Sequence, residues 1–150
     1  MQALMETSPG RTQVPLWFWS AAAFGLLWNL YGMYQFGGSL SATSETLVAA
    51  GMTPAQAEMY LGLPAWIGAV FAVGVSGGLV GSLALLARHR VAAPLFTASL
   101  VGYVLLFVGD AYHGVFASMP VQLAILAFVL MVAAGLLWTA LFARRRGLLL

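Results

Sequence analysis

This chain of 150 residues contains no cysteine and very little charge. The absence of cysteine excludes disulfides, thiolate metal sites and cysteine nucleophiles. Only 7% of the residues are charged, against about 25% in an ordinary soluble domain. A soluble domain of this size needs a polar coat, because much of its surface faces water. Lipid is therefore the expected solvent for most of this protein.

The chain is instead 62% hydrophobic, and its apolar residues fall into four long runs. Each run is long enough to cross a hydrocarbon core of about 30 Å. Short connections between neighbouring runs predict an all-α integral membrane bundle of four transmembrane helices, up-down-up-down. The predicted spans are residues 14–36, 61–87, 91–112 and 121–143. We expect residues 1–13 to be a mobile polar lead, 37–60 an extracytoplasmic loop and 144–150 a basic cytoplasmic tail.

The loop between the first two spans carries local helix signals. Residues 41–50 predict a short helix that ends at Gly51. Thr53 as N-cap, Pro54 at the first helical position and Gln56 three residues after the cap predict the start of a second helix with a capping box.

The placement of the basic residues predicts the orientation. All six are arginines, and all fall on one side of the predicted spans: Arg11, Arg88, Arg90, Arg144, Arg145 and Arg146. The positive-inside rule makes that side, with both termini, cytoplasmic. Because these arginines lie at helix ends rather than on one face, they do not resemble a nucleic-acid-binding surface. The chain is thus expected to be a multi-pass protein of a cytoplasmic membrane, with the lipid bilayer as a partner.

The second predicted span is rich in glycine at close helical spacing. The glycines are Gly68, Gly74, Gly77, Gly78 and Gly81. Small residues four apart let another backbone approach closely where no hydrophobic effect drives helix association. Two interpretations stay open. The glycines pack this helix within its own bundle, or they form an interface with another subunit.

Three polar residues are candidates for a site within or near the spans. Asn29 lies in the first span, where a buried amide must find a hydrogen-bond partner. It is either a structural contact across the bundle or a substrate contact. Asp110 and His113 share a helix face near the outer end of the third span. They are a structural pair or a site that handles protons or ions; a metal site would need more ligands than these two.

Catalytic signatures do not occur in the chain. It has no phosphate-binding glycine loop, nucleophile elbow or HExxH motif. A bundle metal centre would need an array of glutamate and histidine, and heme would need paired histidines in the spans. We therefore predict a protein that is not an enzyme and that uses no metal or other cofactor.

Five short motifs carry a family resemblance. In order they are Leu26-Leu27-Trp28-Asn29-Leu30-Tyr31-Gly32, Pro64-Ala65-Trp66, Gly77-Gly78-x-x-Gly81, Arg88-His89-Arg90 and Pro94-Leu95-Phe96-x-x-Ser99-Leu100. This order resembles an uncharacterised family of small four-helix bacterial inner-membrane proteins, often loosely labelled "sugar transporter". The resemblance covers roughly residues 16–103. It implies four spans and a bacterial inner membrane, and it supplies no catalytic or binding residue.

Two functional hypotheses follow. In the first, the protein is a non-catalytic membrane subunit that packs into a homo-oligomer or a larger membrane complex through its glycine-rich helix face. In the second, it is a transporter of small, sugar-like solutes that works as an oligomer. The first is preferred, because transport sites usually leave more polar residues at depth in the membrane than Asn29 alone. Neither hypothesis identifies a small-molecule substrate.

Overall fold

The computed structural model describes residues 13–150, and within that range the chain forms seven helices and no strand. The helices are α1 (Leu16–Leu40), α2 (Ser44–Ala49), α3 (Pro54–Leu61), α4 (Ala65–Leu86), α5 (Ala92–Tyr112), α6 (Val115–Ser118) and α7 (Pro120–Arg145). The predicted all-α class is confirmed. The predictions for the N-terminal lead and for Arg11 concern residues outside the described range.

Three helices, α4, α5 and α7, are long and apolar enough to cross a membrane, with mean hydropathies of 2.1, 1.9 and 2.5 over their most apolar segments. The chain is therefore a helical protein of multi-pass membrane type. Helix α1 has 25 residues, a length of about 38 Å at 1.5 Å per residue. It falls below the other three in hydropathy, because its apolar run is interrupted by polar and amphipathic side chains. These are Trp17, Trp19, Trp28, Asn29, Tyr31, Tyr34 and Gln35.

The four long helices pack side by side with alternating direction. Helix α1 runs antiparallel to α4, since Gly25 lies near Ser82 and Phe36 contacts Phe71. Helix α5 packs closely along α4, and α7 lies on the far side of α5. Helices α1 and α7 meet less closely, through large side chains such as Trp28 and Phe128, whose ring centroids are 5.4 Å apart.

Two clusters of buried apolar side chains fill the bundle. The first lies toward the end that contains the α4–α5 turn and includes Phe18, Leu85 and Phe96. The second lies toward the opposite end and includes Val75 and Tyr103. The first cluster lies toward the end that carries the arginines at 88, 90 and 144–146, which we name the arginine end. The second lies toward the end that carries Glu45, Glu58 and Asp110, which we name the acidic end.

Local hydrogen bonds form the two short helices at the acidic end. In α3, Thr53 accepts from the backbone N–H of Gln56, and the Gln56 side chain accepts from the N–H of Thr53, so the predicted capping box is confirmed. Helix α2 has an equivalent box made by Thr43 and Thr46. The Gln56 amide also donates to the carbonyl of Ser118, at 2.7 Å, and so fastens α3 to α6. The segment after α1 is therefore an ordered element packed on the bundle.

Residues 147–150 fold back onto the bundle after α7. Gly147 has φ +68, which turns the chain, and the N–H of Leu148 donates to the carbonyl of Ala143. Leu148 and Leu149 are then buried in the cluster at the arginine end. The sequence predicts a basic tail over residues 144–150. In the structure, α7 includes the first two arginines of that tail, Leu148 and Leu149 pack into the core, and Leu150 is exposed.

The turn between α4 and α5 receives this segment. Arg88 donates from Nε to the carbonyl of Leu148 at 2.8 Å, and its own carbonyl accepts from the N–H of Leu150. The N–H of Arg90 donates to the carbonyl of Leu150 at 3.2 Å. Arg88 has φ +57, an unusual conformation for a residue other than glycine. These contacts join the end of the chain to the α4–α5 turn.

Replacing Leu149 by alanine is expected to lower the free energy of unfolding by about 2 kcal/mol, the low end of the range for a buried leucine. The reason is that Leu149 is only 2% exposed, so the shorter side chain leaves a gap in the core. Thermal unfolding in detergent measures the change. Leu150→Ala is the matched control, because that side chain is 73% exposed. Equal stabilities of the two variants would contradict the packing of this segment.

Candidate functional site

Three glycines of α4 form the contact with α5. A Cβ atom added to Gly77 would lie 3.1 Å from the carbonyl oxygen of Leu95 and from the amide nitrogen of Ser99. A Cβ on Gly74 would lie 2.8 Å from the Tyr103 ring, and one on Gly81 would lie 3.0 Å from the Phe96 ring. The sequence marks these glycines as a contact face but does not say which helix they meet. The structure assigns them to α5 of the same chain.

The remaining two glycines differ from each other. Gly78 faces α1, where an added Cβ would overlap Oδ1 of Asn29. Gly68 has no neighbouring atom within 4 Å of such a position. Four of the five predicted glycines are therefore occupied inside the bundle, and Gly68 alone of the five is open on its surface.

Asn29 lies at the centre of a buried polar contact between α1 and α4. Its side chain is 2% exposed, and its amide donates to the carbonyl of Gly25 at 2.8 Å and to Oγ of Ser82 at 3.3 Å. Ser82 in turn donates to the carbonyl of Gly78 at 2.8 Å. Both donors of the amide are thus used within the bundle, and Gly78 supplies the space that the amide oxygen occupies. This geometry is that of a structural contact.

Among the described glycines within the long helices, Gly102 on α5 comes closest to the backbone of another helix, and it is not among the glycines predicted from the sequence. A Cβ there would lie 2.9 Å from the amide nitrogen of Gly74 and 2.9 Å from the carbonyl oxygen of Val70. Close by, the Ser99 hydroxyl donates to the carbonyl of Gly74. A signal was present, because small residues at 99, 102 and 109 recur on one helical face. That face is the complement of the α4 glycines.

Asp110 and His113 lie near the acidic end of α5 with a second group of polar side chains. Asp110 is 3% exposed, and the side chain of Gln122, at the start of α7, faces its carboxylate. His113 lies close enough to influence the carboxylate electrostatically. Its ring packs beside Trp66, with centroids 6.3 Å apart. Asn29 contacts Gly78 farther along the bundle, so the three predicted polar residues form two separate groups.

Tyr60, in the segment that precedes α4, extends this second group. Burial raises the pKa of the Tyr60 phenol above its usual 10.0. A side-chain hydrogen bond with Ser39 opposes that rise, and the negative charge of Asp110 adds to it. The phenol therefore keeps its proton throughout the neutral range and remains a hydrogen-bond donor. The group joins the end of α1, the loop helices, α5 and α7 through polar side chains.

This second group combines a carboxylate, an imidazole, an amide and a phenol. Such a set can hold the loop onto the bundle, or bind a proton or a small polar solute. Within residues 13–150, no three histidine, aspartate or glutamate side chains come together as metal ligands.

No family model, curated protein or solved structure matches this chain. The family resemblance of the motifs in α1, α4 and α5 therefore stays a prediction.

Proposed function

We propose that this protein is a non-catalytic integral membrane subunit that crosses a bacterial inner membrane four times and associates with itself or with a larger membrane complex. Helix α1 is the proposed fourth span. It packs antiparallel along α4, and its outward side chains include Phe24, Leu27 and Leu30, each about half exposed or more. Apolar side chains presented outward along a helix of this length favour lipid over water.

The charges support an orientation with both termini in the cytoplasm. Trp17 at the start of α1 contacts Phe142 near the end of α7, with ring centroids 5.5 Å apart, so both helix ends lie on one side. Arg88 and Arg90 are joined to that side through residues 147–150. By the positive-inside rule, the arginine end is the cytoplasmic one.

The internal polar contacts support a structural role for the buried polar groups. Within the described part of the chain, every buried side-chain nitrogen and oxygen has a hydrogen-bond partner. In the bundle, Asn29 pairs with Ser82, and Ser99 and Thr139 donate to helix carbonyls. Such pairing satisfies polar groups within lipid and stabilises the helix packing.

The outward face of α7 is the observation that carries the proposal. Together with the exposed rings of Phe128 and Trp138, four small residues and one methionine lie on this exposed face at helical spacing: Ala124, Ala127, Met131, Ala134 and Gly135. A Cβ on Gly135 would meet nothing within 4 Å. Small residues let a second helix approach closely in lipid. Because α1 and α5 already pack against four of the glycines on α4, we place the partner on the open face of α7.

A leucine at Gly135 is expected to reduce association about tenfold, since overpacking a helix contact costs about 1–3 kcal/mol. The measurement is native mass spectrometry of the protein extracted from membranes into nanodiscs, which records copy number and bound partners together. Gly68→Leu is the matched control, because that glycine is also open but lies on α4. A wild-type protein that is monomeric and co-purifies with nothing would contradict the proposal.

A small-solute transporter is the second candidate, and the Asp110 group is the observation in its favour. A buried carboxylate lies there beside a histidine, an amide and a phenol. Uptake of a solute into proteoliposomes that is lost in Asp110→Asn, while the variant stays folded, would support transport. Absence of uptake for candidate sugars and amino acids would leave this candidate without support.

A further inference from the structure

The charged side chains are segregated to opposite ends of the bundle. Among residues 13–150, all arginines lie at the α4–α5 turn or at the end of α7: Arg88, Arg90, Arg144, Arg145 and Arg146. The acidic residues of the same range are Glu45 in α2, Glu58 in α3 and Asp110 near the end of α5, at the opposite end. The arginine end therefore carries a concentrated positive charge without an acidic side chain of the described residues beside it.

The backbone contacts of residues 147–150 hold the two groups of arginines at one end. The hydrogen bonds of Leu150 with Arg88 and Arg90 connect the α4–α5 turn to the chain that follows α7. The Arg88 side chain is already used, because its Nε donates to the carbonyl of Leu148. Four exposed arginines, at 90 and at 144–146, remain at this end.

A shallow groove on the last turns of α7 combines apolar walls with one of these arginines. Its lining residues are Trp138, Leu141, Phe142 and Arg145. The Trp138 and Phe142 rings are stacked, with centroids 5.2 Å apart and planes 11° from parallel. The Arg146 guanidinium lies 4.7 Å from the centre of the Phe142 ring and so stays beside the groove. Trp138 is 64% exposed and faces outward from the bundle.

We propose that this groove binds an anionic phospholipid. The lipid phosphate would lie against the guanidinium of Arg145, with Arg146 adjacent, and an acyl chain would lie along Trp138 and Leu141. Arginine suits a phosphate because its planar group donates two parallel hydrogen bonds. The apolar walls continue away from the arginine toward the centre of α7, which matches a lipid rather than a free phosphate. Uncompensated positive charge at this end selects an anionic headgroup over a zwitterionic one.

The proposal requires only that α7 lies in a membrane, and it does not depend on whether the chain associates. The groove lies at the arginine end of the same α7 face on which we place the partner, so lipid binding is measured on the monomeric species. Its test is native mass spectrometry of the full chain with lipids of matched acyl chains, dioleoyl phosphatidylglycerol against dioleoyl phosphatidylcholine. We expect phosphatidylglycerol to bind more tightly to the wild type. Arg145→Gln should weaken that binding about fivefold, the effect of one basic residue near an anionic surface. Arg144→Gln removes the same charge from the neighbouring exposed position outside the groove and should have little effect.

Three results would overturn the proposal. Equal binding of the two lipids would mean that the headgroup charge is not recognised. Equal losses in Arg145→Gln and Arg144→Gln would mean that the charge acts diffusely, without a site. Displacement of phosphatidylglycerol by glycerol 3-phosphate at similar concentration would assign the groove to a soluble phosphate. Thermal unfolding of both variants checks the fold, and phosphatidylglycerol should raise the unfolding temperature of the wild type more than that of Arg145→Gln.

Discussion

An alanine in place of Gly102 is expected to separate α4 from α5 and to lower the free energy of unfolding by about 3 kcal/mol, the upper end of the range for overpacking. The added Cβ would lie 2.9 Å from the amide nitrogen of Gly74 and from the carbonyl oxygen of Val70. Both are backbone atoms, so no side-chain rotation relieves the contact and a whole helix must shift. That shift would also stretch the hydrogen bond from Ser99 to Gly74.

The measurement is unfolding in detergent, followed by circular dichroism. Gly68→Ala and Gly135→Ala are matched controls, since their added Cβ atoms would meet nothing within 4 Å. Alanine exceeds glycine in helix propensity by about 0.8–1.0 kcal/mol, so the controls should keep or gain stability. Gly102→Ala is therefore expected to lower the free energy of unfolding, whereas the two controls should keep or raise it. Stability of Gly102→Ala equal to that of Gly68→Ala would show that α4 and α5 do not approach at this point.

The local part of the fold could be predicted from the sequence, because each of its signals lies within a few residues. The capping box of Thr53 and Gln56 needs only a cap residue and its partner three positions later. The long apolar runs likewise predict α4, α5 and α7. Helix α1 extends to Leu40, beyond the predicted end at residue 36. Gly37 and Gly38 are normally unfavourable in a helix, and their low propensity suggested an earlier end.

The contacts between helices could be predicted only in part. Glycine spacing on α4 indicates a contact face, but the identity of the facing helix depends on tertiary packing. Gly102 shows the difficulty, because the small residues on its face of α5 are widely spaced and the importance of Gly102 depends on its position opposite Gly74. The burial of Leu148 and Leu149 was likewise not predictable from the sequence. Three arginines precede them and suggest a solvated tail, and a run of three leucines is too short to show a period.

Replacing Gly78 by leucine has the largest expected effect, a loss of about 4 kcal/mol of unfolding free energy from overpacking and from a broken buried hydrogen bond together. A Cβ at this position would overlap Oδ1 of Asn29. The Asn29 amide must then leave its place between the carbonyl of Gly25 and the hydroxyl of Ser82. A buried amide without partners is costly, and more so in a bundle surrounded by lipid.

Gly68→Leu is the matched control, with the same substitution on the same helix at an open position, and it should unfold at nearly the wild-type temperature. A double-mutant cycle of Gly78→Ala and Asn29→Ala then tests the physical reason. Asn29→Ala removes the atoms that a Cβ at position 78 would meet, so the two losses should sum to more than the loss in the double variant. We expect a coupling energy of about 1–2 kcal/mol for side chains in direct contact. Strictly additive losses would mean that Gly78 does not provide the space for Asn29, and α1 would then be held against α4 by its apolar contacts alone.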